Sequence, residues 1–144
     1  MNSEERARLG ELLARMSKSA HHQIDLEGLI ADWRRFVTEL QTGYGASIYD
    51  YTNDVSVRDL LGELIASLSP TGADELEREI AAADDAYRAA TRPSDRPLLP
   101  LAPDVHSWWW FRIPLRPGRE LEADLVSEGF GGTNHPGAAD ELPP

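Results

Sequence analysis

The sequence predicts an all-α protein: a small antiparallel bundle of three to four helices with an extended, Pro/Trp-rich C-terminal arm. Three observations predict it. Apolar residues recur at every third or fourth position between Leu26 and Ala90, the rhythm of helices that each bury one face. The interruptions, Gly43-Tyr44-Gly45 and Ser69-Pro70-Thr71-Gly72, are short, so successive helices must fold back as antiparallel neighbours. Beyond Arg92, Pro93, Pro97, Pro100 and Pro103 forbid helix and favour an extended, partly polyproline II path.

Residues 3 to about 20 read as a first helix, with Ser3 as N-cap and Glu4 and Glu5 in the first turn, where acids suit the helix dipole. Leu9, Leu12, Leu13 and Met16 make a narrow apolar stripe. It is expected to dock on its own chain; docking on a second copy, giving a homo-oligomer through the N-terminal helix, is the alternative. Ser17 to Gln23 is a polar connection. Asp25 caps a helix over 26–42, in which Leu29, Ile30, Trp33, Phe36, Val37 and Leu40, with Tyr44 beyond its end, share one face.

A third helix is expected over about 46–68. Ser56 and Asp59 have the spacing of a fresh capping box, so a break near Asn53 to Ser56 is allowed. Thr71 and Asp74 open a fourth, with Leu76, Ile80, Ala83, Tyr87 and Ala90 on one face, and Arg92-Pro93 stops it. Leu98, Leu99 and Leu101 are too many leucines for a free linker, so the Pro-rich segment should lie across the bundle; a P-x-x-P ligand for an SH3-like partner is the sharper alternative. Trp108 to Phe111 are too bulky for one face and are expected mainly to anchor the arm, with one tryptophan at the surface. Arg119 to Val126 form a last short helix. The domain is thus 1–126, comprising an N-terminal helix (1–23), core helices (24–92) and the arm (93–126). Residues 127–144 are expected to be a disordered tail with almost nothing to bury.

A chain of 144 residues with 41% apolar content is long enough for one real core. It contains no cysteine, which removes disulfides, thiol catalysis and Cys-based metal sites. The first residues lack the basic-then-apolar order of a secretory signal, and no apolar run has the length of a membrane span, so a soluble, cytoplasmic protein with no membrane partner is expected. The net charge of −11 is concentrated in residues 24–92, with fourteen acids against six bases. That balance argues against nucleic acid, whose phosphates need a basic face, and favours a basic protein partner through long-range steering. Solubility alone accounts for the same acidity.

Catalytic patterns are missing. The four histidines, His21, His22, His106 and His135, form no H-E-x-x-H or E-x-x-H, and neither phosphate-binding glycine pattern occurs. No cofactor and no metal ligand set is expected. Acids do recur four apart, at Asp50/Asp54, Asp59/Glu63 and Glu75/Glu79. Facing pairs of this kind can hold a metal in bundles, so a metal-dependent hydrolase of small phosphorylated substrates is the alternative to binding. Exposed, solvated faces explain all of them, since Arg58 and Arg78 follow Asp54 and Asp74 at ion-pair spacing. The densest polar-aromatic cluster is Tyr49 to Asp54, where Tyr51 should be core and Tyr49 should reach water. Candidate partner contacts are Tyr49, Asp50, Asp54, Asp59 and Glu63, joined by Trp109 and Arg112 because interfaces are enriched in aromatics and arginine.

W-R-R-F-V (Trp33–Val37), G-Y-G-A-S-I-Y-D-Y-T-N-D (Gly43–Asp54), V-R-D-L-L (Val57–Leu61) and W-F-R-I-P (Trp110–Pro114) resemble the pattern of small acidic helical proteins of GC-rich bacteria. In general style the chain is similar to the helical immunity proteins that neutralise bacterial toxins. The resemblance spans roughly residues 26–126. It implies a binding role without catalysis and transfers no functional residue. The expectation is a non-enzymatic binding module, immunity-like or regulatory.

Overall fold

In the computed structural model, residues 1–98 and 107–130 are described. Among the described residues five helices, α1 (Ser3–Ala20), α2 (Leu26–Thr42), α3 (Ile48–Ala66), α4 (Pro70–Ala89) and α5 (Arg119–Ser127), form an all-α bundle. A two-stranded ribbon, β1 (Thr91–Pro93) and β2 (Arg112–Pro114), and a 3₁₀ turn (Trp108–Trp110) complete it.

Local chemistry sets the helix ends. Asn2, one residue earlier than expected, caps α1: its Oδ1 accepts from the Glu5 amide at 2.8 Å, and the Glu5 carboxylate accepts from the Asn2 amide at 3.4 Å. Asp25 caps α2 as expected, accepting from the Gly28 amide at 2.7 Å. Ser47 caps α3 in a box closed by Asp50. The break allowed near Asn53 is absent. The Ser56 hydroxyl donates to the Asn53 carbonyl inside a continuous helix, and Asp59 turns toward the tryptophans. Ser69 rather than Thr71 caps α4, with Pro70 in the first turn, where its missing N–H costs nothing.

α3 is the central rod. Ile48, Tyr51, Val55, Leu61 and Leu64 are buried in several directions, with α2, α4, α5 and the 3₁₀ turn packed around it. Trp33, Phe36, Tyr44, Tyr51 and Tyr87 interlock with centroid separations of 5.0–6.0 Å, largely tilted or edge-to-face, the arrangements aromatic quadrupoles prefer. Trp33 is 0% exposed.

α1 docks on its own chain. Leu9 and Met16 are buried, and Leu12 and Leu13 pack partly against the core. Its N-terminal end is tied down by polar contacts. Arg8 donates to the Ser67 carbonyl at 3.0 Å, and Glu5 Oε2 accepts from the Ser69 amide at 2.7 Å. Gly72 admits that carboxylate: a Cβ there would lie 2.7 Å from Glu5 Oε2. Bonding to Ser69, opposed by burial, holds the Glu5 carboxyl below its ordinary value of 4.5. A depressed carboxyl stabilises the fold above the unfolded value and loses that contribution as pH falls through the folded one. The protection factors of the α1 amides, intrinsic over observed exchange rate, are therefore expected to fall on acidification below pH 4.5, and Glu5→Gln to flatten that response. Equal acid sensitivity in both proteins would contradict this.

The ribbon is the feature the sequence did not announce. Thr91, Arg92 and Pro93 pair antiparallel with Pro114, Ile113 and Arg112, so the chain leaves α4 as a strand. The arm is pinned further where Gly118 meets the α2–α3 turn. Its amide donates to the Tyr44 carbonyl at 2.6 Å, and a Cβ would sit 2.5 Å from the same oxygen. Leu98 is buried; Leu99 and Leu101 lie outside the described residues. The helix expected over 119–126 is present as α5. The start of the predicted tail needs correction, because Phe130 is buried at 7% exposure and its amide donates to the Leu125 carbonyl at 2.7 Å. Residues 131–144 lie outside the described region.

Candidate functional site

Two polar nodes fix the second half of the bundle. At the first, Asp84 on α4 accepts from the Arg58 Nε and Nη2 of α3, both at 3.0 Å, and from the Trp33 Nε1 of α2 at 2.9 Å. One carboxylate thus joins three helices, and the Arg58 and Asp84 side chains are 7% and 12% exposed. Sequence spacing had paired Arg58 with Asp54; the structure turns it across the core to Asp84, because a fork-shaped guanidinium meets a carboxylate best in two parallel bonds.

At the second node, Asp59 accepts from the indole N–H groups of Trp109 at 2.7 Å and Trp110 at 2.9 Å. The Arg58 guanidinium lies 4.2 Å from the Trp109 ring centroid, a cation–π contact that links the nodes. Tyr87 donates to the Trp109 carbonyl at 2.8 Å. Trp110 is buried, while Trp108 and Trp109 are half-buried, so the aromatic run anchors the arm. Arg88 covers Trp108 at 3.8 Å.

The sequence-predicted contacts separate into internal and external groups. Asp59 and Trp109 belong to the second node. Arg112 donates to the Thr91 hydroxyl at 2.6 Å and to the carbonyls of Arg88 and Thr91, bracing the ribbon. Asp50 is exposed but bonded to Ser47. Asp54 accepts from the Tyr44 hydroxyl at 2.6 Å. Tyr49, 76% exposed, and Glu63 face solvent.

Burial raises the Asp54 carboxyl above its ordinary 3.8, outweighing the Tyr44 bond; neighbouring Asp50 adds to the rise. A raised carboxyl favours the protonated form in the fold, so its contribution to stability diminishes as pH climbs from 3.8 through the folded value. Asp54→Asn, whose amide oxygen still accepts from Tyr44, is expected to increase the urea midpoint at pH 7 and leave it little changed near pH 3.5. A lower midpoint at pH 7 would refute this. Tyr44 itself titrates far above the ordinary tyrosine value through burial and the Asp54 bond.

An acidic concavity runs along α4. A groove of about 450 Å³ is lined by Asp74, Glu77, Arg78, Asp84, Asp85 and Arg88. Asp84 is engaged by Arg58, whereas Asp74, Glu77 and Asp85 are exposed, Asp85 touching Arg88 at 3.3 Å. Sequence reading noted Asp74 and Arg78 on this face only for their ion-pair spacing, because its acids look like any solvated helix face. The Arg58–Asp84 pair was hidden by its separation of 26 residues. Among the described residues, no group of three or more His, Cys, Asp or Glu side chains is placed to hold a metal ion, and no helix is long and apolar enough to cross a membrane.

The fold and these surfaces define a helical bundle with a tryptophan-anchored arm and an acidic groove. Comparison of the chain with family models, curated proteins and solved structures returns no match.

Proposed function

We propose that this chain is a non-enzymatic, cytoplasmic binding protein, immunity-like or regulatory, that engages a basic protein partner. The supporting observation is the α4 groove, where exposed Asp74, Glu77 and Asp85 outnumber the guanidinium groups of Arg78 and Arg88 once Asp84 is taken up by Arg58. Carboxylates held on a rigid helix offer a preformed negative surface for arginine or lysine side chains, and such complementarity acts chiefly on the rate of encounter. Tyr49, Asp50 and Glu63 on α3 are further exposed groups that a basic partner could meet.

The test uses an Arg/Lys-rich amphipathic helical peptide as the probe. Association should slow by about tenfold or more between low and high salt. Reversal of Asp74, Glu77 and Asp85 to lysine should abolish binding, while equal reversal at exposed Glu11, Glu27 and Glu39 should spare most of it. Equal loss in both triple variants, or a salt-independent rate, would overturn the α4 assignment. Thermal denaturation with Mg²⁺, Mn²⁺ and nucleotides separates this reading from a carboxylate-based hydrolase, because a ligand of the folded state must raise the midpoint. Light scattering across concentrations decides whether a second copy docks on the partly exposed Leu12 and Leu13.

A further inference from the structure

We propose that the pocket beside the β1–β2 ribbon binds an oxyanion, the phosphate or carboxylate group of a small ligand. This inference is independent of the α4 reading and concerns the opposite sign of charge. The pocket, about 350 Å³, is lined by Arg92, Ser94 and Arg96, by Ile113 of β2, and by Gly129 and Phe130 beyond α5. That volume admits a phosphate with a modest substituent. In a chain of net charge −11, two guanidinium groups converge here against one carboxylate, Asp95. Neither arginine forms an ion pair among the described residues.

Arg96 is held in place. Its guanidinium carbon lies 3.9 Å from the Phe130 ring centroid, and its Nη2 donates to the Glu128 carbonyl at 2.7 Å. Gly129 makes this approach feasible in two ways. It takes φ 88°, a conformation side chains resist, and a Cβ there would fall 2.8 Å from Arg96 Nη2. The Ser94 hydroxyl donates to the Arg96 carbonyl at 2.6 Å, tightening the same turn. With Nη2 turned to backbone, the other N–H groups of Arg96 keep a fixed direction, the preorganisation that makes anion binding cheap in entropy.

Arg92 supplies the second guanidinium. Its backbone is fixed opposite Ile113 in the ribbon. Arg92 lines the pocket beside the clamped Arg96 guanidinium, and no carboxylate among the described residues neutralises either charge by an ion pair. Guanidinium forks match phosphate and carboxylate oxygens in paired bonds.

The experiment titrates the full ¹⁵N-labelled chain with inorganic phosphate, and separately with acetate, at ionic strength held constant with sodium chloride. The Nε–Hε resonances of Arg92 and Arg96 are followed. Both should shift saturably, and the anion with the tighter curve identifies the ligand chemistry. Arg92→Gln should weaken binding about tenfold, the loss of one charge-assisted contact, with Gly129→Ala acting similarly by displacing Arg96. Backbone spectra confirm that each variant is folded. Arg96→Gln should weaken binding at least as much; should it fail to fold, the wild-type titration and Arg92→Gln decide the matter. Absence of saturable shifts for both anions, or binding unchanged in folded Arg92→Gln, would overturn the proposal.

Discussion

Asp84→Ala is expected to cost about 3–5 kcal/mol of folding stability, the usual penalty for stranding one member of a buried ion pair. Arg58 would keep its charge at 7% side-chain exposure, and Trp33 would lose the acceptor 2.9 Å from its indole N–H. For a chain of this size the loss should lower the thermal midpoint by roughly 10 °C. The pair itself is a different quantity. Replacing both members by apolar residues, Arg58→Met with Asp84→Leu, removes the stranded charge and leaves the Trp33 donor, so the double variant should recover much of the loss. Urea unfolding of the two single variants and the double closes the cycle. If Asp84→Ala costs under about 1 kcal/mol, or the double variant is as damaged as the sum of the singles, the node does not hold three helices together as described.

That node marks the boundary of what the sequence could disclose. α2 was legible because Leu29, Ile30, Trp33, Phe36, Val37 and Leu40 report one buried face through spacing alone, and Asp25 marks its start. α3 was less legible for a physical reason. A rod surrounded by α2, α4, α5 and the tryptophan turn buries residues all round, so its pattern lacks a clean stripe, and a local Ser56–Asp59 signal suggested a break that tertiary packing overrides. The ribbon was illegible because three residues on each side carry no period. Their pairing depends on the tryptophan turn bringing Arg112 back to Pro93. Candidate contacts behaved likewise. Tyr49 and Tyr51 were sorted correctly by helical geometry, whereas nothing local could show that Asp59 faces two indoles fifty residues away.

Asp59→Ala should therefore release the arm. Two indole donors would lose their acceptor, one of them on the buried Trp110, and each buried unmet donor costs about 1–3 kcal/mol. A total near 2–4 kcal/mol is expected, somewhat less than at Asp84 because Trp109 is only half-buried and water can partly replace the carboxylate. The Trp109 ring also lies 3.2 Å from where a Cβ of Gly62 would be, so a tryptophan freed from Asp59 has no room to settle deeper and must move outward. Its displacement would uncover Arg58 and weaken the bond from Tyr87 to the Trp109 carbonyl. Tryptophan emission should shift to the red in Asp59→Ala under native conditions, before any loss of helical circular dichroism. Asp59→Asn, whose amide oxygen can still accept from both indoles, should retain most of the wild-type spectrum. Unchanged emission in Asp59→Ala would mean that the aromatic run is held by packing alone, and that the carboxylate at position 59 is spare for a partner.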